Sequence, residues 1–124
     1  FKGSQAVSVS GYSVSRPQLK GAGRMGKDLR TEAADRLFDA VLTLKSREEC
    51  YRFFEDICTV NELQALSQRF EVAHMLRNHQ TYMDIAETTG ASTATISRVN
   101  RSLNYGHDGY DLVLRRLRGE SETG

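Results

Sequence analysis

The sequence has two cysteines, one proline and no hydrophobic run near the length of a membrane helix. A helix that crosses a bilayer needs about 20 consecutive apolar residues. The first residues also lack the charged, apolar and small-residue succession of a secretory signal peptide. We therefore expect a soluble protein of the cytoplasm.

Residues that carry catalytic or metal chemistry are equally scarce. Cys50 and Cys58 match neither the spacing of a zinc pair nor that of a redox pair, and both fall in helical patterns, which favours buried or idle thiols. The three histidines, His74, His79 and His107, accompany no Ser/His/Asp, metal-ligand or phosphate-loop spacing. These absences predict a protein that is not an enzyme and has no metal site.

Charge is nearly balanced over the chain but unevenly placed. The formal charge is +1 over 124 residues, yet residues 1–30 carry six basic side chains against Asp28 alone, a net of +5 that leaves −4 for residues 31–124. A nucleic-acid-binding function must therefore depend on local basic patches.

Composition divides the chain into three parts. Residues 1–30 are rich in Gly and Ser, contain Pro17, and are predicted to form a flexible basic arm, or to be partly vector-derived with Met25 as the native start. Residues 31–118 form the predicted helical domain, and 119–124 a short tail. This length suits one compact domain.

From Thr31 apolar residues recur three and four apart, which predicts helices and no strands. The first helix is expected to reach about Leu44. Ser46 and Glu49, then Thr59 and Glu62, have the spacing of capping boxes and are predicted to open the second and third helices.

The third helix is the longest predicted one and should end near Asn78. A stripe of apolar residues three and four apart is expected to lie along one of its sides. That stripe comprises Leu63, Leu66, Phe70, Ala73 and Leu76.

Two shorter helices are predicted to meet at Gly90. Thr81 is expected to cap the fourth helix, and the fifth should begin after Ser92 or Thr93 and reach about Leu103. The run NYGHDG, residues 104–109, is rich in turn formers and predicts a loop. A sixth helix is expected around Tyr110–Leu117, with arginines near its end.

The fourth and fifth helices have the spacing of a helix-turn-helix, in which two helices pack steeply through a turn of three or four residues. Ala86 falls at the close-packed position and Gly90 at the turn, where a positive φ favours glycine. Ile85, Ile96 and Val99 fall in the shared core, and Met83 is expected to pack toward the rest of the domain. An ordinary helical hairpin capped by glycine is the alternative.

The side of the fifth helix opposite this core has hydroxyls and arginines but no carboxylate. In a major groove, arginine can bond guanine, and hydroxyls can bond bases or phosphates. A solvated helix usually mixes acids with its cations. The predicted DNA-binding residues are Ser92, Thr93, Thr95, Ser97, Arg98 and Arg101.

Two segments, TVNELQALSQRFEVAHML (59–76) and TYMDIAETTGASTATISRVNRSLNYG (81–106), resemble the Trp repressor superfamily, in particular its YerC/YecD-type members. The resemblance covers roughly residues 35–118. It implies an all-α, six-helix fold, an intertwined homodimer and a bacterial transcription regulator that binds double-stranded operator DNA as a repressor. Two-fold symmetry then implies a palindromic operator read in successive major grooves about 34 Å apart.

The resemblance also bears on a ligand. In the Trp repressor, tryptophan lies between two arginines whose matching positions are Arg69 and Arg98, and Thr59 matches another pocket residue. The position matching Val99 is glycine there, which leaves space for the indole ring. Val99 fills that space, so we expect no tryptophan co-repressor and no cofactor, although an unidentified small effector stays open.

Three alternatives remain open. Arg69 could instead pair with Glu62, Glu71 or another acid, and the protein could be a ligand-dependent repressor. The net charge of −4 on residues 31–124 also leaves open a helical module that docks onto other proteins without binding DNA.

Overall fold

The computed structural model describes residues 29–119, and these contain six helices and no strand. The helices are α1 (Glu32–Val41), α2 (Arg47–Ile57), α3 (Val60–Arg77), α4 (Tyr82–Thr89), α5 (Thr93–Tyr105) and α6 (Gly109–Leu117). The predicted all-α class is confirmed. Nearly all of the basic arm and residues 120–124 of the tail lie outside the described residues, so their predicted flexibility stays a prediction. None of the described helices is long and apolar enough to cross a membrane.

The described chain divides into two units after Cys50. In the first unit, Thr31 caps α1, and its hydroxyl accepts a hydrogen bond from the amide of Ala34 at 3.0 Å. The helix ends at Val41, three residues before the predicted end. The Thr43 hydroxyl donates to the carbonyl of Ala40 at 2.7 Å, and the Thr43 and Leu44 amides bond three residues back, which tightens the chain into a turn.

Side chains cap the starts of the next two helices, in part at α2 and in full at α3. At α2 the amide of Glu49 donates to the Ser46 hydroxyl at 3.1 Å, but the Glu49 carboxylate accepts from the backbone amide of Lys45 and not, as the capping box predicts, from that of Ser46. At α3 the capping box is complete, because Thr59 and Glu62 each accept from the other's amide at 3.0 and 2.8 Å.

The core of the second unit lies where α3, α4 and α5 meet. Val72 and Ala73 of α3, Ile85 of α4 and Ile96 of α5 are fully buried, and Val99 is 1 % exposed. Ala91 and Leu103 complete the cluster. The shared core predicted for Ile85, Ile96 and Val99 is confirmed.

Two apolar side chains lie elsewhere than predicted. Leu66, expected in the buried stripe of α3, is 45 % exposed, and Met83, expected to pack inward, is 69 % exposed. Val72, which lies outside the stripe, is fully buried instead. The apolar residues of α3 lie on several sides of the helix, so helical spacing alone does not show which side packs in the core.

The end of α3 is joined to α5 and α6 by one arginine. The Arg77 guanidinium donates to both carboxylate oxygens of Asp111 at 2.9 Å and to the carbonyl of Leu103 at 3.2 Å. The hydrogen bonds from Arg77 to its carboxylate, followed by the positive charges of Arg77, Arg115 and Arg118, hold the pKa of Asp111 below its ordinary value, against the opposing effect of burial. Arg77 thus fixes the sixth helix against the end of the third.

We predict that Asp111→Asn lowers the free energy of unfolding by about 1–2 kcal/mol at neutral pH. This loss is smaller than that expected for a fully buried ion pair, because solvent screens the partly exposed Arg77–Asp111 pair. A carboxylate whose pKa is lowered by folding stabilises the fold above its unfolded pKa, and this stabilisation is lost as the pH falls through the folded pKa. Urea unfolding at fixed protein concentration should therefore show the full difference above about pH 5 and a shrinking one in acid.

Asp108→Asn is the matched control, because Asp108 meets Arg115 only at 4.0 Å and its side chain is 66 % exposed. Its effect should stay below about 0.5 kcal/mol. A destabilisation of Asp111→Asn that is equal at pH 7 and in strong acid contradicts the role given to the ion pair.

Candidate nucleic-acid interface

The turn between α4 and α5 is built from three consecutive residues. Gly90 has φ +75°, and its amide donates to the carbonyl of Ala86 at 2.9 Å. The Thr89 hydroxyl donates to the carbonyl of Ile85 at 2.8 Å and accepts from the amide of Ala91 at 3.1 Å. Glycine adopts this left-handed conformation without the strain that a Cβ brings.

A long-range hydrogen bond holds this turn against α3. The Gln68 side-chain amide donates to the carbonyl of Thr89 at 3.1 Å. Because that carbonyl lies at the end of α4, it has no acceptor role within the helix and needs a partner from elsewhere. The turn is therefore fixed to the domain by a polar contact as well as by the core.

Five of the six predicted DNA-binding residues lie on α5 and the sixth caps it, so the helix brings the set together. Ser92 is the N-cap, and its hydroxyl accepts from the amide of Thr95 at 3.1 Å and bonds the Thr95 hydroxyl at 3.2 Å. We call the five exposed hydroxyl and arginine residues the outer face of α5: Ser92, Thr93, Ser97, Arg98 and Arg101.

The two arginines of the outer face are unengaged within residues 29–119. Neither Arg98 nor Arg101 forms an ion pair or hydrogen bond with this part of the chain. The helix TATISRVNRSLNY contains no acid that could neutralise them. Their charges are thus available to an anionic partner.

Helix α5 extends two residues beyond the predicted end at Leu103. Asn104 and Tyr105 were predicted in the loop, but both are helical, and the turn begins at Gly106. A Cβ at Gly106 would approach the Ser102 carbonyl oxygen to 2.5 Å, so glycine is needed where the chain leaves the helix. Tyr105 is 85 % exposed and lies one helical turn after Arg101.

Of the three residues predicted to bind a ligand, only Thr59 lines the groove beside α3. Thr59 lines an open groove of about 890 Å³ beside α3, together with Gln64, Gln68, Thr88 and others. Arg69 and Arg98 are absent from the groove lining. The Thr59 hydroxyl is already engaged as the cap of α3.

The ion pairs that were the alternative role of Arg69 are also absent from the described residues. Within the described residues, Arg69 forms no ion pair with Glu62, Glu71 or any other acid. Nor does this part of the chain contain a cluster of histidine, cysteine and acidic side chains that could hold a metal ion.

Comparisons with known proteins cover most of the described chain. The sequence profile of the Trp repressor protein family matches residues 32–118. Uncharacterized protein YerC of Bacillus subtilis (strain 168) is 59 % identical over 95 residues, which are 77 % of this chain and 90 % of that protein.

Solved structures give the same relationship. A TrpR like protein from Eubacterium eligens ATCC 27750 is 66 % identical, with a TM-score of 0.71 over 76 % of this chain and 97 % of the other. A structure from Staphylococcus aureus is 57 % identical, also with a TM-score of 0.71, over 76 % and 94 %. The sequence and the all-α fold agree with these relatives, and the chain therefore belongs to the Trp repressor protein family.

Proposed function

We propose that this protein is a sequence-specific DNA-binding transcription repressor that inserts α5 into the major groove of its operator. The outer face of α5 carries this proposal. It presents two unengaged arginines and three hydroxyls without a carboxylate, while Ile96, Val99 and Leu103 fix the opposite side in the core. Such a face can bond guanine edges and phosphates.

The active form that we propose is a homodimer on a palindromic operator. Large apolar side chains are exposed on α1, α2, α3 and α6 of the single chain, and exposed apolar surface of this kind is typical of protein interfaces. A second copy that covers them would also supply a second α5. The exposed side chains of these helices include Phe38, Tyr51, Ile57, Val60, Leu66, Val113 and Leu117.

We predict that Arg101→Ala weakens binding to a selected operator by about 1–3 kcal/mol, because each protomer then lacks one charged group at the DNA. The dependence of affinity on salt should also become shallower, by about 1 in log–log slope for each phosphate that is no longer neutralised. The melting temperature should not change, since Arg101 has no partner within the described residues. Fluorescence anisotropy over a range of salt concentrations measures both binding effects.

Arg52→Ala is the matched control, because it removes the same charge from an exposed position on α2. Normal DNA binding by Arg101→Ala would contradict the role of the outer face. If the DNA affinity of the wild type does not depend on salt concentration, a module that docks onto other proteins would be favoured over a DNA-binding repressor.

Repression by this protein is proposed to need no tryptophan. Val99 is 1 % exposed and packs in the core between α3 and α5, so its isopropyl group occupies space that an indole ring would need. The groove that Thr59 lines contains neither Arg69 nor Arg98, which agrees with this proposal.

Calorimetry with tryptophan should accordingly give no saturable heat in the micromolar range. The affinity for DNA should be the same with and without millimolar tryptophan. Micromolar binding, or a rise in DNA affinity when tryptophan is added, would show that the protein is a tryptophan-dependent repressor.

A further inference from the structure

The last residue of α5 exposes an aromatic side chain with no role in the described fold. Tyr105 is 85 % exposed, the largest exposed fraction among the large hydrophobic side chains described. Its hydroxyl forms no hydrogen bond with residues 29–119. Exposing an aromatic ring to this extent leaves its apolar surface in water, so packing within the chain does not account for the residue.

Tyr105 continues the line of the arginines on α5. Residues three and four apart are neighbours on a helix surface, and Arg98, Arg101 and Tyr105 have these spacings. The buried Ile96, Val99 and Leu103 occupy the opposite side. Tyr105 is therefore directed toward whatever Arg98 and Arg101 contact.

In the proposed docking, with the start of α5 in the major groove, the length of the helix brings its end to the DNA backbone. At 1.5 Å per residue, the 13 residues of α5 span about 20 Å, which exceeds the major-groove width of about 12 Å. When the first turns of a recognition helix reach base edges, its last turn lies over the sugar-phosphate wall of the groove. At that wall the available acceptors are phosphate oxygens.

We propose that Tyr105 is a positioning residue whose phenol hydroxyl donates a hydrogen bond to a phosphate at the edge of the groove. This inference rests on the proposed DNA-binding function and extends it to a residue beyond the outer face of α5. A tyrosine at this position fixes the register of α5 without displacing a counterion, since the side chain is neutral.

The main test is Tyr105→Phe, which keeps the ring and removes the donor. We expect about three- to tenfold weaker binding, equal on a duplex selected from a randomised pool and on a scrambled duplex of the same length. The salt slope, the melting temperature and the oligomeric state should not change.

A second variant tests whether residue 105 lies near a phosphate by adding a positive charge there instead of removing a donor. Tyr105→Arg should steepen the salt slope by about 1 for each additional phosphate that the new guanidinium neutralises. Tyr105→Phe, which adds no charge at the same position, should leave the slope unchanged.

Four results would overturn the inference, and they are distinguishable. Wild-type affinity of Tyr105→Phe excludes the hydrogen bond, and a loss of affinity confined to the selected duplex indicates a base contact instead. A lower melting temperature or a change of oligomeric state assigns Tyr105 to the fold or to the protein interface. If the wild type binds neither duplex, the proposed function itself fails, and the inference fails with it.

Discussion

The contact of Val72 and Ala73 with Ile85, Ile96 and Val99 determines where every polar residue of α5 points. These five side chains exclude water between α3, α4 and α5, and a helix held along one side can rotate little. The hydroxyls and arginines therefore face outward because the branched side chains face inward. Gly90 and the Gln68 hydrogen bond hold the two shorter helices at the angle that this contact requires.

The same packing supports the proposal that the chain needs no ligand to order α5. Val99 fills the space between the helices with its own side chain, so α5 already has a packed support. In a protein that lacks this group, a bound molecule can complete the same contact. A side chain that takes the place of a ligand is the physical basis of the proposed independence from tryptophan.

Local features of the domain were predictable from sequence, and long-range ones were not. The cap hydroxyls of Thr59 and Ser92 and the positive φ of Gly90 depend on neighbours within four residues. The Arg77–Asp111 pair joins residues 34 positions apart, which no local pattern encodes. Helical spacing predicted that Leu66 and Met83 pack inward, but it could not show which side of each helix is covered. The turn-forming residues after Leu103 led to a predicted end of α5 that is two residues too early.

We propose that two copies of α5 read one operator from successive major grooves. Hydroxyl-radical footprinting of a selected duplex, combined with the protein-to-DNA ratio from analytical ultracentrifugation, measures both the spacing and the number of chains. We predict two chains per duplex and two protected segments whose centres are about 10 base pairs apart. One chain per duplex, or a single protected segment, would contradict it.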